Sequence, residues 1–223
     1  MKNKNAVLLF DLDHTLYPRE AGVLKRIDRN ISDFLAGYFK ISVKEAERLR
    51  HGFYREYGLS LTGLIKEYPG FDVTGYLKYV YDFDIEKMLN PAKKLRRILL
   101  KIPNFKYIFT NGLESYASRI LKALNISECF RKIYGIEFMN FNCKPAAEAF
   151  LKVAEDIGRA TGDFIMIDDL TQNLLTAKKL NMKTILVGEK QKEPHIDEII
   201  KDITEISGAL KRLDGQRKKH QQS

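Results

Sequence analysis

Val7-Leu8-Leu9-Phe10 is an uninterrupted apolar run that stops at two acids, Asp11 and Asp13. A strand with no polar side needs cover on both faces, which is the situation of a strand in a parallel sheet between helical layers. In open sheets of that kind, ligands bind in the crevice at the carboxyl ends of the strands. Asp11 and Asp13 therefore stand where chemistry is expected. On an extended strand, residues two apart are separated by roughly 6.6–6.8 Å, so the chain has to turn directly after Asp11 if both acids are to meet one substrate.

Beyond Pro18 the pattern becomes helical for a long interval. Val23, Leu24, Ile27, Ile31, Phe34, Leu35 and Tyr38 form one stripe, and Ala46, Leu49, Phe53 and Tyr57 form a second, which opens on the capping-box pattern Ser42 to Glu45 and ends at Gly58. Short helices are predicted around Leu61–Ile65 and Tyr76–Val80. Asn90-Pro91 reads as an N-cap followed by a first helical proline. From Tyr107 strands and helices alternate: Tyr107–Phe109 ends at Thr110-Asn111-Gly112, a weak strand lies near Ile133, and Phe164–Ile167 ends at Asp168-Asp169. Thr184–Val187 is predicted as the last strand and Ile196–Leu210 as the last helix, with a frayed polar tail after Leu213.

The predicted fold is a doubly wound, Rossmann-like α/β core with a parallel sheet and a helical cap inserted after the first strand. Residues 1–16 and 94–213 form the core, 17–93 the cap, and 214–223 a flexible basic tail. A cap in that position stands over the strand ends. The 223 residues suffice for such a core, and no apolar run is long enough for a signal core or a membrane span. Cys129 and Cys143 have no metal-ligand spacing and are too few for a disulfide framework, so a reduced, cytoplasmic protein is expected, with Cys143 a packed thiol. His51 and His195 likewise lack metal-binding spacing. The net charge of +9 favours anionic ligands, although Lys211, Arg212, Arg217, Lys218 and Lys219 of the tail supply much of it.

Polar groups follow several strand ends: Asp11 and Asp13, Thr110 and Asn111, Lys144, then Asp168 and Asp169. Singly each reads as a turn, a cap or a surface lysine; in this order they suit phosphoryl chemistry. Carboxylates are oxygen ligands for Mg²⁺, an aspartate can be a covalent nucleophile, and a lysine with hydroxyl or backbone donors can stabilise transferring oxygens.

FDLDHTLYP, FTNG, the lysine of CKPAAEAF and IDDLTQN resemble, in that order, the four motifs of the haloacid dehalogenase superfamily of aspartate-nucleophile phosphohydrolases. The resemblance implies Asp11 as nucleophile and Asp13 as general acid and base. It implies phosphate binding by Thr110, Asn111, Gly112 and Lys144. It further implies a Mg²⁺ site of Asp11, the Asp13 main-chain carbonyl, Asp168 and Asp169, with Asn173 supporting the acidic loop. LYP with Gly22, YREYGLSLTGL, FTNG and CKP are similar to the pyrimidine 5′-nucleotidase subgroup, which implies nucleoside 5′-monophosphate substrates. Ala147 and Tyr116 depart from that subgroup, which often has proline and histidine there.

Tyr54 and Tyr57 are the cap residues that could stack on a base or, as the plainer reading, pack the cap against itself. The alternatives are a sugar-phosphate or broad-range phosphatase and a phosphomutase. Asp13 argues against carbon–halogen cleavage. A non-enzymatic nucleic-acid binder would rest on the basic tail alone, with no recognition motif beside it. The expected partner is a small phosphorylated substrate, a nucleotide, with no membrane or nucleic acid, and the expected state is a monomer or homodimer.

Overall fold

The computed structural model describes residues 6–188, 191 and 193–220. Lys2 and Lys4 of the opening stretch and the last three residues of the basic tail lie outside them. The strands are β1 (Val7–Phe10), β2 (Lys106–Phe109), β3 (Ile133–Tyr134), β4 (Phe164–Asp168), β5 (Lys183–Val187) and β6 (Glu198–Ile200). They form one sheet in the order β3-β2-β1-β4-β5-β6, with every pairing parallel. The apolar run that opens the chain is thus a central strand: Leu9 lies opposite Tyr107 on one side and Met166 on the other. Leu8, Leu9 and Phe10 are completely buried. The order reverses at β1, and the carboxyl ends of β1, β2 and β4 meet at that switch point, where open α/β sheets bind ligands.

Between β1 and β2 lie α1 (Val23–Phe39), α2 (Val43–Tyr57), α3 (Ser60–Glu67), α4 (Val73–Tyr81) and α5 (Lys93–Lys101). The capping box of α2 is complete: Ser42 Oγ accepts from the Glu45 N–H, and Glu45 Oε2 accepts from the Ser42 N–H. Gly58 closes that helix at φ 75°, a left-handed conformation that glycine adopts without a Cβ penalty. Phe34 of α1 ties the cap helices together through edge contacts with Phe71 and Tyr76. In the core, α6 (Glu114–Ala123), α7 (Ala147–Ile157), α8 (Thr171–Lys179) and α9 (Ile206–His220) follow β2, β3, β4 and β6. Among the described residues no helix is long and apolar enough to cross a membrane.

Three expectations are corrected. Asn90 and Pro91 do not open α5, whose N-cap is Ala92. The Ala92 N–H donates to the Leu124 carbonyl at the end of α6, which holds this stretch out of the helix. The segment beginning at Ile196 is not helical: Ile196, Glu198 and Ile200 are buried while Asp197 and Ile199 are only partly so, an alternation that makes β6 instead. The last helix therefore begins at Ile206, and it runs to His220 through residues expected to fray.

Asp197 explains how so short a strand holds its place. Its carboxylate accepts from the Thr184 N–H at 3.0 Å and from Lys178 Nζ at 2.6 Å, joining β5, α8 and the start of β6. Burial alone would raise its pKa; the bonds from Lys178 and Thr184 and the Lys183 charge outweigh that and hold it below the ordinary value. A depressed carboxylate pKa stabilises the fold above the unfolded-state value, near 3.9, and loses that contribution as pH falls through the folded value. Asp197→Asn is expected to cost about 1–2 kcal/mol at pH 7, discounted for the partly exposed lysines. In urea titrations the gap from wild type should close as the pH is lowered below the unfolded-state value. A gap that stays constant would remove the charge from this account.

Candidate active site

The chain turns directly after Asp11, as two converging acids require. Leu16 N–H donates back to the Leu12 carbonyl at 2.9 Å, and His14 takes a left-handed φ of 60°. The turn gives the two acids different surroundings. Asp11 Oδ2 accepts from Thr15 Oγ1 at 3.0 Å, and Asp11 Oδ1 accepts from Lys144 Nζ at 2.8 Å. Asp13 Oδ1 accepts from the Tyr116 hydroxyl at 2.6 Å and from the Tyr17 hydroxyl. Both phenols address the same oxygen, so Oδ2 of Asp13 carries neither bond.

Lys144 is 1% exposed and reaches the site from the loop after β3, where its Nζ also donates to Asp168 Oδ2 at 2.9 Å. That loop is clasped to the end of β2 by the Asn111 side chain, which donates to the Lys144 carbonyl and accepts from its N–H, both at 2.9 Å. Asn111, a predicted phosphate ligand, thus ties its side-chain amide to the Lys144 backbone. Thr110 Oγ1 accepts from the Gly112 N–H at 3.0 Å. A Cβ on Gly112 would stand 2.9 Å from the Tyr116 ring, so the glycine of FTNG makes room for the tyrosine that holds Asp13. At the end of β4, Asp168 accepts from the Leu170 N–H and from Asn173 Nδ2, and Arg19 Nη2 pairs with Asp169 Oδ2 at 2.6 Å.

Burial pushes Asp11 up, to about 8, with Asp168 and Asp13 adding to the rise and Lys144 opposing it. Asp13 is also raised by burial, partly offset by the bonds from Tyr116 and Tyr17. Burial would lower Lys144, but the charges of Asp11 and Asp168 prevail and hold its ammonium above the ordinary value. Four acids thus face one buried lysine and the more exposed Arg19. Asp11, Asp168 and Asp169 bring carboxylate oxygens within 4.8 Å of one another. This all-oxygen, negatively charged donor set fits Mg²⁺. The Asp13 side chain is not part of that cluster.

A cleft of about 380 Å³ joins Asp11, Asp13 and Asp169 to the cap, walled by Leu24, Ile27, Tyr54 and Tyr81 among others. Tyr57 is not on it. The Tyr57 ring lies beside a neighbouring cleft, under Lys66 Nζ at 5.1 Å, and its hydroxyl donates to Glu67. Tyr54 lines both clefts. Thr15, Tyr17, Arg19 and Tyr116 were missed as site residues. Thr15 and Tyr17 lie within the first motif and Arg19 directly after it; Tyr116 stands out in the sequence only as a departure from the nucleotidase subgroup.

The sequence profile of the haloacid dehalogenase-like hydrolases matches residues 8–187. Phosphate metabolism protein 8 of Saccharomyces cerevisiae is 29% identical over 227 residues, spanning 90% of this chain and 71% of the yeast protein. The fold is similar to a HAD phosphatase from Thermococcus onnurineus, at 21% identity and a TM-score of 0.60, covering 92% of this chain and 97% of the other. It is also similar to YfnB of Bacillus subtilis, solved bound to magnesium, at 19% identity and a TM-score of 0.63, covering 93% and 99%. A profile that runs from the first strand to the fifth, over a sheet that gathers its acids at one switch point, makes this chain a member of the haloacid dehalogenase-like hydrolase family.

Proposed function

We propose that the protein is a Mg²⁺-dependent phosphomonoesterase working through an aspartyl-phosphate on Asp11, with nucleoside 5′-monophosphates of the pyrimidine type as substrates. The observation that carries the chemistry is the unequal setting of two acids two residues apart. Asp11 is fixed by a hydroxyl and an ammonium, whereas Asp13 is turned to two phenols with one oxygen left over. Asp11 attacks phosphorus and the ester P–O bond breaks, its oxygen taking a proton from Asp13 Oδ2. Water then attacks the phosphorus of the aspartyl-phosphate, giving its proton to Asp13 and restoring Asp11. Burial, which raises the Asp13 pKa, helps that group carry the proton. Lys144, Thr110 and the backbone after it face the phosphoryl oxygens.

Asp11, Asp168 and Asp169 would hold Mg²⁺, with the Asp13 carbonyl. The ion supplies charge screening between two anions, the carboxylate and the phosphate. The Thermococcus relative's description as a phosphatase and the magnesium in the Bacillus structure support this reading.

The nucleotide substrate rests on the cap resemblance and on Tyr54 and Tyr81 at the cleft. Tyr57, turned to the neighbouring cleft, favours the broader reading of a phosphatase acting also on sugar phosphates. Phosphate release from UMP, CMP, purine monophosphates and ribose 5-phosphate separates them. The nucleotide reading expects UMP or CMP to exceed ribose 5-phosphate at least about tenfold in kcat/KM, a difference of about 1.4 kcal/mol. The reverse order would sink it while leaving the chemistry intact.

A further inference from the structure

On the cap side of the cleft, facing the catalytic acids across it, stand Asp28 of α1 and Arg50 and His51 of α2. Arg50 Nη1 donates to Asp28 Oδ1 at 2.7 Å, and Nη2 lies 3.2 Å from His51 Nε2. A guanidinium only donates, so His51 accepts at Nε2 and carries its proton on Nδ1. Five N–H donors therefore have two partners, although the side chain is only 12% exposed. Arg50 Nε is sealed from solvent with no acceptor, the one such side-chain atom among the described residues. Buried donors are ordinarily satisfied, because leaving one unmet costs free energy. An arginine that served only to tie α1 to α2 would have its donors filled by the two helices. Here Nε is enclosed, while the Nη hydrogens that Asp28 and His51 leave unused belong to a side chain lining the cleft.

We propose that Arg50, braced by Asp28 and His51, is the specificity-determining residue for the leaving group and reads a carbonyl acceptor on a flat, neutral, amide-edged ring. This rests on the nucleotide reading above and names the residue that would enforce it. Three features select that ligand chemistry. The charge of Arg50 is already balanced by Asp28, so the cluster offers hydrogen-bond donors without a demand for an anion. The wall beside it is apolar and aromatic, with Leu24, Ile27, Ile31, Tyr54 and Tyr81, which suits a ring face and suits a polyol poorly. The acids at the opposite wall repel a carboxylate-bearing leaving group. Tyr54 lines the cleft along with Arg50, Asp28 and Asp169.

The test compares UMP with ribose 5-phosphate, which shares the sugar phosphate and lacks the ring. In Arg50→Met, kcat/KM for UMP should fall about 10- to 100-fold, the worth of a hydrogen bond from a charged group. The loss should fall in KM, because the contact is made equally in ground and transition states. Ribose 5-phosphate should lose less than about threefold. Arg50→Lys keeps the charge opposite Asp28 but lacks the planar fork, so it remains readable if the methionine variant folds poorly. It should lose about tenfold with UMP. If both variants keep the wild-type preference for UMP, or lose both substrates equally, the inference is overturned and the nucleotide reading stands. A wild type without that preference overturns both.

Discussion

Asp11→Asn is expected to release no measurable phosphate from any ester, a loss of at least about 10⁴-fold, while folding as well as wild type. An amide at that position cannot attack phosphorus, and removing a covalent nucleophile takes away the route itself. The stability half of the expectation follows from charge. Asp11 shares the buried site with Asp168 and Asp13, and burial raises its pKa above the carboxylate range, to about 8. An acid whose folded pKa is raised makes the fold less stable as it ionises, so a neutral isostere leaves metal-free stability unchanged or improved. Acid-quenched protein incubated with radiolabelled ester should carry label on wild type and none on the variant. Labelled Asp11→Asn would remove the residue from its role as nucleophile.

Lys144→Met should injure both rate and stability. The ammonium lies 2.8 Å from Asp11 and 2.9 Å from Asp168, completely inside the protein. Removing one member of a buried ionic set leaves the others uncompensated, at a cost of about 3–5 kcal/mol, which for a chain of this size lowers Tm by roughly 6–20 °C. The lost positive charge at the phosphoryl oxygens should reduce kcat about 10²–10³-fold. Calorimetry and initial rates read the two effects separately. Activity within tenfold of wild type at a temperature where the variant is folded would dismiss Lys144 as a phosphate ligand.

The strands that bear the acids were legible because their signal is local: VLLF and FIMI are contiguous apolar runs, and each ends where the polar residues begin. β6 was missed because Ile196-Asp197-Glu198-Ile199-Ile200 contains too few residues to separate a two-residue period from a helical one, and a buried Glu198 disguises the alternation further. Its burial makes sense only once Arg212, on α9, is seen at 2.7 Å. The partners of Asp13 were hidden for a similar reason. Tyr116 is far away in sequence, and nothing in its helical spacing distinguishes a core tyrosine from one whose hydroxyl serves an acid. Arg50 sits in a charge-rich helix whose exposed face conceals it; only the fold encloses its side chain, against an Asp28 that stays exposed.

The helices α1 to α4 enter the sheet's wiring at a single point, after β1. β1 pairs with β2 and β4, and neither register depends on how much chain intervenes. Closing a longer excursion is cheap, about 0.6 kcal/mol for each doubling of its length. Lengthening, trimming or exchanging the excursion therefore leaves the reactive end of the sheet in place. Substitutions in α1 and α2 can accumulate under selection for new esters while the acids stay fixed, so the chain can change its diet without relearning its chemistry.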